Sequence, residues 1–216
     1  MKLAILGASG AIGRHLVKQA LAAGHDVTVV ARASSNLEVP AQVKVVRGNV
    51  DDERVLAEAF AGCGAVLSSL GLKLPGLSPW AKAEDPGVLD RASPAIVAAM
   101  KAAGVKRLLF VSSSGVGDSA ALLPGFFRIF IALTAMRTVF PVLQRMEDTF
   151  FASGLDVCAV RPTGLSDGPA TGKIVVPQKL VGQAQIARAD VAAWMLQTVA
   201  LPSIPKSAVL TTTGAG

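Results

Sequence analysis

Short apolar runs alternate with segments of helical periodicity along most of the chain. Six of the apolar runs have the length and composition of strands: residues 2–6, 27–31, 43–47, 65–70, 106–112 and 156–160. The segments between them, such as 12–23 and 88–103, repeat apolar residues every three to four positions, as an amphipathic helix does. Because strands that alternate with helices pair in parallel, we predict an α/β fold with a doubly wound parallel sheet and helices on both faces.

The second half of the chain continues this alternation less regularly. Residues 122–152 form a long apolar stretch that predicts one helical region, and residues 173–176 predict a short seventh strand. A helix over 190–200 and a final strand over 208–212 follow. Neither a linker nor an internal repeat divides the sequence, so we predict a single domain over residues 1–216, with a small region of loops and helix on the substrate side.

The first strand leads directly into a glycine-rich turn that opens the first helix, with the sequence Gly7-Ala-Ser-Gly10-Ala-Ile-Gly13. In a dinucleotide-binding turn the first glycine permits the tight bend, the second lets the backbone approach the pyrophosphate, and the third lets the helix pack closely on the sheet. The N–H groups and the positive dipole end of the helix attract phosphate. The pattern predicts a Rossmann-type cofactor site with loop contacts from Gly7, Ser9, Gly10, Ala11, Ile12 and Gly13.

The residues after the second strand indicate which dinucleotide binds. NAD-binding proteins usually place an acidic residue there, which accepts a hydrogen bond from the ribose 2′-hydroxyl. This chain instead has Arg32, followed by Ser34, and an arginine side chain pairs well with a phosphate through its planar fork. We therefore predict NADP as the cofactor, with contacts from Arg32 and Ser34. The alternative is that Arg32 is only a solvent-exposed side chain.

The ends of the third and fourth strands supply the remaining predicted cofactor contacts. Asn49 and Val50 follow the third strand, where the adenine would stack and form hydrogen bonds. Ser68, Leu70 and Gly71 close the fourth strand, near the expected position of the nicotinamide ribose. These positions follow from the rule that ligands of an open α/β sheet bind outside the carboxyl ends of its strands.

Four segments together resemble a known family: residues 7–13, 48–51, 111–115 and 153–162. In order and over essentially the whole chain, they resemble the atypical short-chain dehydrogenase/reductases, and more narrowly the NAD(P)H-binding group that includes biliverdin-IXβ/flavin reductase and the NmrA-like proteins. The resemblance implies an extended cofactor across the carboxyl ends of the strands. The motifs are specific to the fold group but not to a substrate.

The resemblance also implies roles for individual residues. It places four residues at the nicotinamide: Ser112, Ser113, Pro162 and Thr163. Ser112 and Ser113 are the candidate catalytic residues, and Ser112, Pro162 and Thr163 are also expected to bind the cofactor. Arg161 either serves this site or only closes a loop. Glu147 matches a position where this group often carries glutamate, and it is either catalytic or a charge on a helix surface.

The chain departs from the classical members of this family because it contains no tyrosine. Those members use a Tyr-x-x-x-Lys motif, in which the tyrosine transfers the proton of the substrate hydroxyl. Two functions remain open. The first is an NADPH-dependent reductase that transfers a hydride to a planar small-molecule acceptor, such as a flavin or a quinone, while solvent or Ser113 relays the proton. The second is a non-catalytic NADP(H)-binding redox sensor of the NmrA-like type.

The charged residues and the cysteines exclude several kinds of site. The net charge of +6 comes from basic residues scattered singly, so the sequence predicts no nucleic-acid partner. The spacing of Cys63 and Cys158 matches no metal motif, and both residues lie in apolar segments typical of buried, unreactive thiols. Such thiols fit a reducing compartment, and the chain begins with a strand pattern rather than a signal peptide. We predict no metal and a cytoplasmic location.

The apolar stretch over residues 125–143 is long enough to cross a bilayer. Arg128 and Arg137 interrupt it and Pro141 is expected to close it, and each central arginine opposes insertion by about 2.5–3.5 kcal/mol. We predict no integral span; peripheral membrane contact stays open, as does the choice between monomer and homodimer. The apolar residues here form either one wall of the substrate pocket or a dimer face: Leu122, Leu123, Phe126, Phe127 and Phe130. Trp80 is expected to stack on a substrate or to plug a hydrophobic gap.

Overall fold

The structure, a computed structural model, describes residues 1–213, apart from the side chain of Arg128. Seven parallel strands form the main sheet: β1 (Lys2–Leu6), β2 (Asp26–Ala31), β3 (Lys44–Arg47), β4 (Ala65–Ser68), β5 (Arg107–Val111), β6 (Asp156–Pro162) and β9 (Ser207–Leu210). Their order across the sheet is β3-β2-β1-β4-β5-β6-β9, so the direction of winding reverses between β1 and β4. The predicted doubly wound Rossmann-type sheet is confirmed, and ligands of such sheets bind at this reversal.

Helices cover both faces of the sheet: α1 (Ala11–Ala22), α2 (Glu53–Phe60), α3 (Val88–Ala102), α4 (Gly125–Ala132), α5 (Met136–Phe151) and α6 (Arg188–Val199). The buried side chains of α1 and α6 pack on one face of the sheet, and those of α2, α3 and α5 pack on the other. Side chains alternate between these two cores along each strand; Ala4 and Leu6 point to one and Leu3 and Ile5 to the other. The strands therefore read as continuous apolar runs because both faces are covered.

The two cysteines lie in these cores, as the sequence predicts. Burial, together with the smaller effect of the neighbouring Asp156 carboxylate, raises the pKa of Cys158 to about 12. Burial also raises the pKa of Cys63, whose thiol donates to the carbonyl of Ala59 at 3.3 Å. Because the thiolate is the reactive form of cysteine, both thiols are chemically quiet at neutral pH.

The single helical region predicted over residues 122–152 is wrong. A 3₁₀ helix (Gly117–Leu122) precedes α4, and the axis turns by 102° between α4 and α5. The chain turns because the N–H of Ala135 donates to the carbonyl of Leu77, at 3.2 Å, rather than continuing the helical ladder. Pro141 was expected to close the apolar stretch but lies inside α5. Within residues 1–213 no single helix is long and apolar enough to span a membrane, although α4 and α5 together pass that test as a bent pair.

The strand predicted over residues 173–176 is also wrong. Only Val175 pairs there, in an isolated antiparallel bridge to Thr211. Pro177 follows the segment and has no N–H to extend a ladder. A second, two-stranded parallel sheet forms elsewhere, from β7 (Gly164–Ser166) and β8 (Gln185–Ala187).

Candidate active site

A cleft of about 580 Å³ opens at the carboxyl ends of β1, β2 and β4, beside the reversal of strand order. Its walls come from five segments: the glycine loop (Gly7, Ser9, Gly10), the end of β2 (Val30, Ala31, Arg32), the loop after β3 (Asn49, Val50, Asp51), the loop from β4 to α3 (Ser69, Leu70, Gly71, Leu72, Lys73, Glu84, Asp85) and the start of α3 (Val88, Leu89, Arg91). The size is typical of a cofactor or small-molecule site. The cleft brings together eight of the predicted cofactor-binding residues: Gly7, Ser9, Gly10, Arg32, Asn49, Val50, Leu70 and Gly71.

The glycine loop has no room for side chains at its first and third glycines. Gly7 has a φ of +79°, and a Cβ there would lie 2.9 Å from the carbonyl carbon and oxygen of Ser69. A Cβ at Gly13 would lie only 2.1 Å from the carbonyl oxygen of Gly7. Gly10 is exposed toward the cleft, where a phosphate can approach its backbone. The loop therefore has the close backbone packing that a pyrophosphate cradle requires.

The N-terminus of α1 offers only backbone groups to a ligand. Its N-cap is Gly10, no side chain caps it within the described part of the chain, and the first turn carries no acid. Ala11 is exposed, whereas Ile12 and Gly13 are buried against the sheet. The predicted contacts of Ala11, Ile12 and Gly13 can therefore come from their N–H groups, since the Ile12 side chain belongs to the core.

Ser69, which is not among the predicted cofactor-binding residues, holds the glycine loop in place. Its hydroxyl lies 3.1 Å from the carbonyl oxygen of Leu6 and 3.3 Å from that of Gly7, and it donates to them. The neighbouring Ser68, which was selected, is buried and accepts a hydrogen bond from the N–H of Leu70 at 3.4 Å. The register of β1 and β4 explains the position of Ser69: Leu6 lies opposite Ser68, so Ser69 lies beside Gly7.

Arg32 stands exposed at the mouth of the cleft, at the end of β2. None of the described acidic side chains forms an ion pair with it, so its guanidinium is available to a ligand. Arg47 holds this corner by donating from Nη1 to the carbonyl of Ser35 at 2.9 Å and to that of Arg32 at 3.4 Å. Ser34 is exposed outside the residues that line the cleft.

An ion-pair network closes the far side of the cleft, and sequence reasoning missed it. Arg91 donates to Asp51 at 2.9 Å and to Asp85 at 2.5 Å, and the hydrogen bond from Arg91 lowers the pKa of Asp85. Lys73 and Glu84 form a second pair at 2.7 Å. The partners lie up to 40 residues apart, so no local pattern signals them. Each carboxylate of the cleft is thus paired with a cation. Because Arg32, Lys73 and Arg91 together balance the three carboxylates, the lining has no net negative charge that would repel a polyanionic cofactor.

The four residues expected at the nicotinamide lie together at the ends of β5 and β6, beyond the lining of the cleft. The N–H of Ser112 donates to the carbonyl of Val160 at 2.7 Å, and the N–H of Ser114 donates to that of Pro162 at 3.0 Å. The hydroxyl of Thr163 already donates to the carbonyl of Leu210 at 3.2 Å. Its N–H also donates to the carbonyl of Leu210, at 3.0 Å, so β9 holds both the side chain and the backbone N–H of Thr163.

The buried hydroxyl of Ser112 has no hydrogen-bond partner among the described residues. The hydroxyl of Ser113 lies in a half-buried position and donates to the carbonyl of Ser114 at 3.3 Å. A buried polar group without a partner costs about 1–3 kcal/mol, so such groups are rare and need an explanation. A ligand that hydrogen-bonds to Ser112 supplies one, and the amide and ribose of a nicotinamide nucleotide carry the required donors and acceptors.

Glu147 is not a surface charge, because it is fully buried in an ion pair with Arg161. Arg161 donates from Nε and Nη2 to the two carboxylate oxygens of Glu147, at 3.0 and 2.6 Å. It also donates from Nη1 to Asp118 at 2.5 Å, and that hydrogen bond lowers the pKa of Asp118. Arg161 thus fastens the 3₁₀ helix after β5 and the helix α5 to β6. We refer to Asp118, Glu147 and Arg161 as the arginine clamp.

None of the five residues of the predicted apolar wall lines the cleft. Leu123 is buried beside the turn after β5, where a Cβ on Gly115 would lie 2.5 Å from its Cδ1. Leu122 and Phe127 pack against Leu123 and Leu180 in a small separate core, and Phe126 and Phe130 are exposed on α4. Trp80 plugs no gap, because its side chain is 82% exposed.

Comparison with known proteins agrees with this geometry. A family model described as NAD(P)H-binding matches residues 7–202. An uncharacterized chloroplastic protein of Arabidopsis thaliana is 28% identical over 200 residues, which cover 87% of this chain and 68% of that protein. Among solved structures, ChuY, an anaerobilin reductase of Escherichia coli O157:H7, is 25% identical, with a TM-score of 0.80 over 100% of this chain and 99% of that chain.

A short-chain dehydrogenase/reductase of Veillonella parvula DSM 2008, solved in complex with NADP, has the same fold, with a TM-score of 0.79 at 16% identity over 99% of this chain and 95% of that chain. The family resemblance seen in the sequence is thereby confirmed, and the cofactor is a nicotinamide dinucleotide. The chain therefore belongs to the NAD(P)H-binding family, whose model matches residues 7–202.

Proposed function

We propose that this reductase uses NADPH to transfer a hydride to a planar, largely apolar acceptor such as a flavin or a quinone. The observation that carries the proposal is the unpartnered hydroxyl of Ser112 at the end of β5, in a chain that contains no tyrosine. The hydroxyl can position the reacting groups through hydrogen bonds. No phenol is present to protonate a substrate alkoxide.

The residues of the cleft fit NADPH in charge and in shape. The backbone of Gly7, Ser9 and Gly10 supports the pyrophosphate, and the unpaired Arg32 supports the 2′-phosphate. When bound, NADPH supplies a hydride equivalent from its nicotinamide ring. Ser112 holds the carboxamide or the acceptor by a hydrogen bond, and Leu123 and Phe140 bring apolar surface to the neighbouring turn at Gly115.

The titratable groups near this turn are unsuited to proton transfer. Asp118 and Glu147 both accept hydrogen bonds from Arg161 in the arginine clamp. His25 bonds to the N-terminal amine of Met1, and neither it nor His15 lines the cleft. Hydride addition to a flavin or a quinone needs only a proton from solvent to complete the reduction, so it suits a site of this kind.

The reaction class is tested by following NADPH absorbance with a panel of acceptors: FMN, a soluble naphthoquinone, anaerobilin and simple secondary ketones. Anaerobilin is included because of the similarity to ChuY. We expect turnover with one or more of the planar acceptors and negligible turnover with the ketones. Efficient ketone reduction contradicts the proposal. Tight NADPH binding without turnover on any acceptor indicates a redox sensor instead.

Replacing Arg32 with alanine is expected to remove the preference for NADPH over NADH. A charged hydrogen bond contributes about 1.5–3 kcal/mol, so NADPH affinity should fall about ten-fold or more while NADH affinity changes little. Titration calorimetry of both nucleotides measures this difference. Arg54→Ala is the matched control, because Arg54 is exposed on α2 and does not line the cleft. An unchanged preference in Arg32→Ala would assign the 2′-phosphate to another residue.

Replacing Ser112 with alanine is expected to lower turnover about ten- to a hundred-fold, at or below the low end of the roughly 10²–10⁴-fold range of general acid–base effects. The stability of the cofactor-free protein should not fall, because the substitution removes a buried hydroxyl that has no hydrogen-bond partner within the described part of the chain. Steady-state kinetics and urea unfolding measure the two quantities. Ser113→Ala is the comparison; if it alone reduces turnover, the catalytic contact belongs to Ser113.

A further inference from the structure

Helix α4 is apolar on two faces, and only one of them is buried. Phe127 and Ile131 pack toward the small core around Leu123 and Leu180. On the other face, four side chains follow the i, i+3, i+4, i+7 spacing of a single helical stripe and are 38–65% exposed: Phe126, Ile129, Phe130 and Leu133. Clusters of large apolar side chains that stay exposed mark binding surfaces, so the stripe indicates one.

The loop between β4 and α3 extends this stripe. The carbonyl of Leu77 accepts the N–H of Ala135 at 3.2 Å, and that of Pro79 accepts Arg137 Nη2 at 3.5 Å, so the loop is held against the junction of α4 and α5. Leu77 and Trp80 are both exposed there. We call the six exposed side chains the α4 face: Leu77, Trp80, Phe126, Ile129, Phe130 and Leu133.

The charges around the α4 face are positive and uncompensated. Residues 119–146 contain no aspartate or glutamate, and Arg137 and Lys82 form no ion pair with any described acidic side chain. The acids that flank this region are already paired, Asp118 with Arg161 and Glu84 with Lys73. An apolar, tryptophan-bearing stripe with basic side chains beside it is complementary to a lipid surface with anionic headgroups.

We propose that the α4 face binds the surface of an anionic lipid bilayer. The aromatic and aliphatic side chains enter the boundary between headgroups and acyl chains, while Arg137 and Lys82 face the phosphates. A second copy of the chain is a poorer partner. A two-fold contact through this face brings the cations of both copies together, and six side chains fall well short of the roughly 20–30 residues a side in a standard interface. The inference does not depend on which acceptor the enzyme reduces.

Vesicle co-sedimentation tests the proposal, with vesicles of phosphatidylcholine alone and of phosphatidylcholine mixed with phosphatidylglycerol. We expect binding to the mixed vesicles, weaker binding at high salt because of charge screening, and little binding to the neutral ones. The emission of the exposed Trp80 should shift to shorter wavelength on binding, and Trp80→Phe should abolish the shift. The second tryptophan, Trp194, is half-buried in α6 and gives a constant background.

The double variant Ile129→Ser/Leu133→Ser is expected to reduce vesicle affinity about ten-fold or more, because it removes two apolar side chains from the stripe. Leu201→Ser is the matched control, since Leu201 is also exposed but lies beyond the C-terminus of α6. Circular dichroism and NADPH affinity should be unchanged in both variants. Equal binding to neutral vesicles, the absence of binding, or a vesicle-free dimer that the double variant dissociates would each overturn the proposal.

Discussion

Replacing Arg161 with methionine should destabilise the protein by about 3–5 kcal/mol, because it leaves the fully buried carboxylate of Glu147 without its counter-ion. In the native protein the attraction between Arg161 and Glu147 offsets the cost of removing both charges from water. In Arg161→Met the Glu147 carboxylate stays buried, and no opposite charge offsets the cost of its desolvation. The loss should appear as a lower midpoint of urea unfolding with an unchanged slope. Turnover should fall in addition, since the arginine clamp fastens the turn that carries Ser112.

Two further variants test whether the loss of stability in Arg161→Met comes from the unpaired buried charge. Arg161→Met/Glu147→Leu removes both charges and should recover most of the lost stability, since apolar replacement of a buried pair is often neutral or better. Arg145→Met is the control, because it breaks an ion pair with Asp90 that lies exposed on the surface, and it should cost less than about 1 kcal/mol. If Arg161→Met costs no more than Arg145→Met, the clamp contributes little to stability.

Replacing Gly13 with alanine should reduce NADPH affinity about a hundred-fold or more. The new Cβ would lie 2.1 Å from the carbonyl oxygen of Gly7 and 2.7 Å from the Cα of Ala8, and backbone atoms cannot move aside as a side chain can. The glycine loop must therefore shift. If the shift removes two hydrogen bonds between the loop and the phosphates, each contributing about 1.5–3 kcal/mol, the affinity for NADPH falls about a hundred-fold or more. Titration calorimetry with NADPH measures it.

Gly76→Ala is the matched control for this experiment. Nothing lies within 4 Å of a Cβ added at Gly76, and this residue is not part of the cleft lining. Its NADPH affinity should equal that of the wild type. Wild-type affinity in Gly13→Ala would mean that the loop does not hold the phosphates.

The parts of the fold that depend on local sequence could be predicted. The apolar runs specify strands because both faces of the sheet are covered, and the glycine loop is recognisable because its three glycines serve backbone packing within seven residues. The break between α4 and α5 could not be predicted. Apolar residues continue through it, and its cause is a hydrogen bond from Ala135 to Leu77, a distant residue in the loop after β4.

In the candidate site, too, features set by local sequence could be predicted and features set by distant contacts could not. Arg32, Asn49 and Gly71 lie within three residues of the ends of β2, β3 and β4, so the rule that ligands bind at strand ends identifies them. The arginine clamp joins Asp118, Glu147 and Arg161 across 43 residues, and the sequence indicates neither that Glu147 is buried nor which residue neutralises it. Ser112 was selected through family resemblance, but the unpartnered state of its hydroxyl could only come from the structure.

We propose that the cleft holds NADPH in one orientation and directs its hydride to a planar acceptor. The most direct test uses NADPH with deuterium at either the pro-R or the pro-S position of nicotinamide C4, oxidised by the protein with the flavin and quinone acceptors. The mass of the NADP⁺ product then reports which hydrogen was transferred. We expect one labelled form to lose all its deuterium and the other to keep it. A mixture of labelled and unlabelled product from both forms, or oxidation no faster than without protein, would contradict a single bound orientation.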